Sequence, residues 1–143
     1  MAKVIARSSR KLTVAPEQVL EFLRDYRERA KILTENYSAY RVEQGGRGDG
    51  TVIGYHFAAG GRERDYRLRV QESDGALQEH DQLSSFVSIW SVAPSNAGSE
   101  VTLEASWDGA GGIGGIFEGL FAPIGLRRIY GHVLERLATA VGG

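Results

Sequence analysis

The sequence predicts an α+β fold: a curved antiparallel sheet of seven strands wrapped around a long C-terminal helix, with two short helices between strands 1 and 2. Two observations carry this expectation. One strand-like run and a short helical stretch precede six further runs of two-residue period, and consecutive runs joined by tight turns pair antiparallel. A single apolar helical segment, from about Ile113 to Val141, is then left to cover the dry concave face of the sheet. The expected product is a hollow between sheet and helix.

The first run, Val4 to Val14, places Val4, Ala6, Ser8, Leu12 and Val14 on one face and Lys3, Arg7, Ser9 and Lys11 mostly on the other. Pro16 then opens a helix, because proline at the first helical position forfeits no hydrogen bond and Glu17 suits the positive end. Val19, Phe22, Leu23 and Tyr26 recur at three- and four-residue spacing and form its buried stripe. A further turn or two runs through Ala30, Ile32 and Leu33. Glu43 to Gly50, with glycines at 45, 46, 48 and 50, reads as the first hairpin loop.

Beyond that loop Ile53, Tyr55 and Phe57 share one face, Gly60-Gly61 turns the chain, and Tyr66, Leu68 and Val70 lie opposite Arg67 and Arg69. Ser73-Asp74-Gly75 is the next turn. Leu77, Glu79, Asp81 and Leu83 alternate with Gln78, His80 and Gln82, and Phe86, Trp90 and Val92 share the face of the following strand. After a turn at Pro94 to Ser99, Val101, Leu103, Ala105 and Trp107 form the last inward row, with Leu103 and Trp107 facing the C-terminal helix.

The terminal segment divides in two. Ile113, Ile116, Phe117, Leu120, Phe121 and Ile124 fit one helical stripe, and the apolar set restarts in another phase with Leu126, Ile129, Tyr130, Val133, Leu134, Leu137 and Val141. The slip falls at Pro123 and Gly125, so a kink or break is expected there. Glycines at 111, 112, 114, 115 and 119 weaken helix in the first half, which is expected to exchange its amides faster than the second and to serve as a gate.

Composition narrows the function classes. A chain of 143 residues is expected to form one domain, residues 1–143, and to bury about 70% of the surface its unfolded form exposes. It has no cysteine, which removes disulfides, thiolate metal sites and cysteine nucleophiles together and suits a reducing compartment. With 17 basic against 18 acidic residues there is no overall field to hold nucleic acid. The start of the chain shows no secretory h-region, so a cytoplasmic protein is expected.

Several motifs resolve into local chemistry. Gly109 to Gly114 spells GxGxxG, but a dinucleotide fold needs a second parallel strand after the helix that follows. Ala110 to Leu126 carries Glu118 as its only charge, yet Pro123 interrupts a run already shorter than the roughly 20 residues of a membrane span. No stable membrane insertion is expected; transient contact with a membrane surface during lipid loading is the alternative. Arg47-Gly48-Asp49, set among glycines, is turn chemistry. Arg62, Arg64, Arg67 and Arg69, interleaved with Glu63 and Asp65, read as a solvated strand face. His56, His80 and His132 lack metal-ligand spacing, so no metal and no cofactor are expected.

The order of elements resembles the helix-grip fold of the SRPBCC superfamily, which unites START domains, Bet v 1-like plant proteins and the polyketide cyclase/dehydrase group. VAPEQVLEFLRDY is similar to the opening helix, GGRERDYRLRVQE to the middle strands and IFEGLFAPIGLRRIYGHVLERL to the closing helix of bacterial polyketide cyclase/dehydrase members. The resemblance spans essentially the whole chain. It implies a hydrophobic cavity used for lipids, isoprenoids or polyketides; it implies no single reaction, because the superfamily shares no active-site motif.

Three functions follow as expectations. The first is a binding module whose cavity is lined by Tyr55, Phe57, Tyr66 and Leu68 from the middle strands, Trp90, Leu103 and Trp107 from the last two, and Phe117, Phe121 and Ile124 from the helix. The second is a polyketide cyclase/dehydratase-type enzyme. Glu79 and Asp81 share the face of Leu77, and if that face turns inward two carboxylates enter the cavity, where desolvation raises their pKa and fits them for general acid–base work. Removing either charge, by Glu79→Gln or Asp81→Asn, is then expected to leave folding intact or to raise stability. The third is a protein-interaction module, a role the resemblance also allows.

Overall fold

A computed structural model describes residues 3–109 and 122–143. Strand β1 (Lys3–Leu12) leads into helix α1 (Pro16–Arg24) and a 3₁₀ turn (Arg29–Ile32), followed by β2 (Tyr37–Gln44), β3 (Val52–Ala59), β4 (Arg62–Ser73), β5 (Ala76–Asp81), β6 (Val87–Ser95), β7 (Gly98–Asp108) and helix α2 (Pro123–Val141). The strands form one sheet in the order β1-β7-β6-β5-β4-β3-β2, every neighbouring pair antiparallel. The predicted architecture is the one observed.

Alternation places the core. Tyr66, Leu68 and Val70 of β4, Leu77 of β5, Trp90 of β6 and Val101, Leu103, Ala105 and Trp107 of β7 are all buried, and between them stand exposed or half-buried polar residues. Leu126, Tyr130, Val133, Leu134, Leu137 and Ala138 of α2 close over this face, a stripe at the spacing the sequence predicts. Proline stands at the first position of both α1 and α2, where its missing N–H costs nothing. α2 therefore begins at the predicted break, and the gate expected over 111–125 falls mostly on residues outside those described, as does most of the GxGxxG motif.

The boundaries depart from expectation in three places. β1 ends at Leu12 rather than Val14, and β5 ends at Asp81, so Leu83 leaves the inward row and is 62% exposed. The β6–β7 connection is only Asn96-Ala97, with Pro94 paired to Ser99 inside the ladder. Gly98 lets this hairpin lie against the end of β1: at φ 153° a Cβ there would stand 2.7 Å from the carbonyls of Leu12 and Val14. The glycine-rich loop after β2 behaves as turn chemistry, with Asp49 accepting the Glu72 N–H at 2.8 Å and Arg47 paired to Glu21.

One irregularity positions the interior. Ala39 sits in the left-handed region at φ 54°, and the register of β2 against β3 shifts between Ser38 and Arg41. The extra residue is a bulge. It changes the parity of the strand, so that Tyr37 and Tyr40, three residues apart, both serve the inner side, where Tyr40 donates its hydroxyl to the Tyr26 carbonyl at 2.6 Å.

Candidate functional site

The inner face of the sheet holds a polar centre. Glu79, on β5 among apolar neighbours, is 3% exposed and accepts from Tyr26 Oη at 2.6 Å, from Arg29 Nη1 at 2.9 Å and from Ser88 Oγ at 2.7 Å. Arg29, 2% exposed, comes from the 3₁₀ turn and also donates Nη2 to the Leu23 carbonyl at 2.6 Å. Its guanidinium lies 4.2 Å from the ring centre of Tyr26 and 4.9 Å from that of Trp90. A buried pair of this kind adds little net stability, because desolvation offsets the attraction, but losing one member strands the other charge.

Aromatic residues wall the space above it. Tyr37 packs edge-on to Tyr55 and Phe57 with ring centres 5.1 and 4.8 Å apart, and Tyr66 lies 4.8 Å from Phe86. Burial pushes the phenols of Tyr37, Tyr40, Tyr55 and Tyr130 up; burial and then the Glu79 charge push that of Tyr26 well up. All therefore stay protonated at neutral pH and act as neutral hydroxyls. Burial by itself lowers the Arg29 guanidinium, yet Tyr26 and Glu79 beside it hold it above its ordinary value.

The remaining space is small. A cavity of about 20 Å³ touches Arg29, Tyr37, Tyr40, Tyr55, Glu79, Ser88, Trp90, Leu103 and Tyr130, and another of about 10 Å³ lies among Tyr37, Tyr55, Phe57, Tyr66, Phe86, Leu126 and Tyr130. Between the described residues the expected hollow is thus largely filled by aromatic rings. A wider groove of about 700 Å³, lined by Lys31, Glu35, His132, Glu135 and Arg136 among others, lies on the outer side of α2. It is open and polar, without the apolar wall a ligand site needs; the interior is the candidate.

The predicted residues divide accordingly. Tyr55, Phe57, Tyr66, Trp90 and Leu103 border the two cavities. Leu68 and Trp107 are buried in the same core without bordering either, Trp107 stacking on Phe86 at 6.2 Å. Phe117 and Phe121 lie outside the described residues. Ile124 is 66% exposed in the first turn of α2, contrary to the expectation of a lining role, because the buried stripe begins at Leu126.

Both carboxylates turn inward as expected, but each is charge-paired. Asp81 accepts from Arg64 Nη2 at 2.7 Å, from the Arg67 N–H at 3.1 Å and from Ser84 Oγ at 2.6 Å. Arg64 is consequently not part of a solvated strand face; it shares the inward parity of Tyr66 and stacks over that ring at 4.7 Å. The expectation that neutralising Glu79 leaves stability unharmed is reversed, since Arg29 would lose its counter-charge. Sequence reasoning missed Arg29, Tyr37, Tyr40, Ser88 and the site role of Tyr130. Tyr37 and Tyr40 are hidden by the bulge, and Arg29, in the run Arg27-Glu28-Arg29, has the look of surface charge.

Residues 3–142 match the family model described as polyketide cyclase / dehydrase and lipid transport. Among solved structures, the chain is 43% identical to the KanY protein (ms6282), whose structure was solved by NMR in solution, over 100% of both chains with a TM-score of 0.88. TTHA0849 from Thermus thermophilus is 17% identical over 96% of this chain and 97% of that one, with a TM-score of 0.77. Major latex-like protein 151 from Panax ginseng is 14% identical over 97% and 96%, with a TM-score of 0.68. At such identities the last two carry the fold alone. No curated protein matches the chain. No helix among the described residues is long and apolar enough to cross a membrane.

Proposed function

The chain belongs to the polyketide cyclase/dehydrase and lipid-transport family, and from that premise we propose that residues 1–143 form one cytoplasmic ligand-binding domain enclosing a hydrophobic or amphipathic small molecule between the sheet and α2. The observation that carries this reading is the convergence of aromatic walls on a charge-paired polar centre, with Tyr37, Tyr55 and Tyr130 common to both cavities. A core built for stability alone has no use for a buried ion pair among aromatic rings. Apolar walls with a few fixed polar groups are the composition of a ligand site, and a lipid, isoprenoid or polyketide-like molecule has the matching polarity.

Ligand sites hold about 300 Å³ or more, so uptake is expected to part the tyrosines that the two cavities share. Native mass spectrometry of protein purified without detergent is expected to show a retained small molecule. A ligand-free spectrum, together with Leu103 and Val133 methyl resonances that stay still on addition of isoprenoid, lipid and aromatic polyketide probes, would overturn the reading.

A cyclase or dehydratase is the second reading, favoured by the position of Glu79, which borders the cavity within 2.6 Å of a tyrosine hydroxyl. Glu79 would move the proton and a cavity tyrosine would polarise the substrate carbonyl. Asp81, held at the end of β5, is the weaker of the two carboxylates for this role. Under the enzyme reading, Glu79→Gln protein that is still folded loses turnover by about a hundredfold while binding persists; unchanged turnover removes Glu79 from the chemistry.

A further inference from the structure

Resting on that reading of the interior, we propose that the polar end of the cavity takes an uncharged acceptor oxygen, the carbonyl or hydroxyl of an otherwise apolar ligand, on Arg29 Nε–H, and that it discriminates against carboxylates. The guanidinium has its Nη1 edge on Glu79 and its Nη2 edge on the Leu23 carbonyl, while Nε is buried without a hydrogen-bond partner among the described residues. Buried donors are seldom left so, because the lost hydration is uncompensated. The residue that carries this donor borders a cavity of about 20 Å³, enough for a single oxygen-sized group.

Charge selects the kind of oxygen. Arg29 and Glu79 cancel at 2.9 Å, and Arg64 and Asp81 cancel at 2.7 Å, so the interior carries no surplus positive charge. The bordering tyrosines are neutral hydroxyls. A ligand carboxylate placed against Arg29 would face Glu79 across the same guanidinium and bring an unbalanced charge into a dry site. A ketone, ester or alcohol oxygen accepts the same Nε–H without that cost. The guanidinium lies over the rings of Tyr26 and Trp90, which fix its place at the polar end of the cavity.

The test compares three probes that share one ring system: 2-acetylnaphthalene, 2-ethylnaphthalene and 2-naphthoate. Titration calorimetry on the wild-type protein is expected to rank the ketone about tenfold or more above both others, the range of a hydrogen bond to a charged donor. In ¹H–¹⁵N spectra the Arg29 Nε–H resonance should move downfield with the ketone and not with the hydrocarbon. Arg29→Lys, which keeps a counter-charge for Glu79 but lacks the Nε–H, should bring the ratio of ketone to hydrocarbon affinity down to about one. If that variant does not fold, the wild-type ranking and resonance decide. Equal binding of ketone and hydrocarbon, tighter binding of naphthoate, or a still Nε–H resonance overturns this inference and leaves the cavity reading standing. Binding of none of the three also overturns this inference, and the retained-ligand spectrum and methyl resonances then decide the cavity reading separately.

Discussion

Glu79 and Asp81 stand two residues apart on one face of β5, both buried and each bonded to a guanidinium, yet they belong to different regions of the molecule. Glu79 lies in the middle of the sheet and is reached from outside it: Tyr26 follows α1 and Arg29 opens the 3₁₀ turn. Both members of that ion pair are nearly sealed, with side chains 3% and 4% exposed. Asp81 lies at the end of its strand and is served by the neighbouring strand and the following loop, through an arginine whose side chain is 18% exposed. The same residue pattern thus produces a sealed centre at one position and a rim clasp at the next. What separates them is whether the partner can reach water when the carboxylate is taken away.

That difference is measurable. Glu79→Gln should cost about 3 kcal/mol or more, because Arg29 has no route to solvent and the loss of one member of a buried pair leaves the other uncompensated. The urea midpoint reads this directly, and a variant as stable as wild type would show that Arg29 finds another partner. Asp81→Asn should cost less, about 1–2 kcal/mol, since the Arg64 side chain can swing outward and the amide can keep one of the remaining hydrogen bonds. Equal losses at the two positions would erase the distinction between centre and rim.

The bulge in β2 sharpens the comparison, because it brings Tyr40 to the Tyr26 carbonyl beside the sealed centre. Ala39 holds a left-handed conformation that costs an L-residue about 1 kcal/mol. Ala39→Gly should relieve part of this and raise thermal stability slightly without disturbing the centre; a loss of stability would mean that the bulge is not a strained point.

The smallest effect belongs to a pair with no burial to amplify it. On the outer face His56 Nδ1 lies 2.8 Å from Asp65 Oδ1, and the hydrogen bond to Asp65 raises the imidazole above its ordinary value. A group whose folded pKa is raised stabilises fully below its unfolded pKa of about 6.5, and the contribution is lost as pH rises through the folded value. The urea midpoint should therefore fall slightly with rising pH across this window in wild type and fall less in Asp65→Asn, where only Glu63, 3.4 Å from Nε2, still favours the imidazolium. An equal slope in both proteins would assign the effect to another group.

Much of the fold was legible because alternation and turn residues are local. The two-residue period from β3 to β7, the glycines at 60, 61 and 75, and the apolar stripe from Leu126 to Leu137 each reflect the conformation of their own segment. The same period puts Glu79 and Asp81 on the face of Leu77, and the burial of Leu77 turns that face inward. Leu83 and Ile124 depart from the predicted pattern for a shared reason: periodicity continues across a boundary that only the hydrogen-bond ladder or the buried stripe ends. Phe117 and Phe121 fall outside the described residues, and their lining role stays an expectation.

The sequence by itself determined which faces are apolar, that strands β2 to β7 pair antiparallel with their neighbours in the chain, and that one helix closes the sheet, because these depend on spacing along the chain. The tertiary structure decided what the polar residues do. Arg29 lies 50 residues from Glu79 and Arg64 lies 17 from Asp81, and no local rule distinguishes a guanidinium that folds inward from one that stays in water. Nor does spacing reveal how much of a hollow its own aromatic walls will fill. Charge pairing and packing density are properties of segments brought together, and they appear only once the chain has closed.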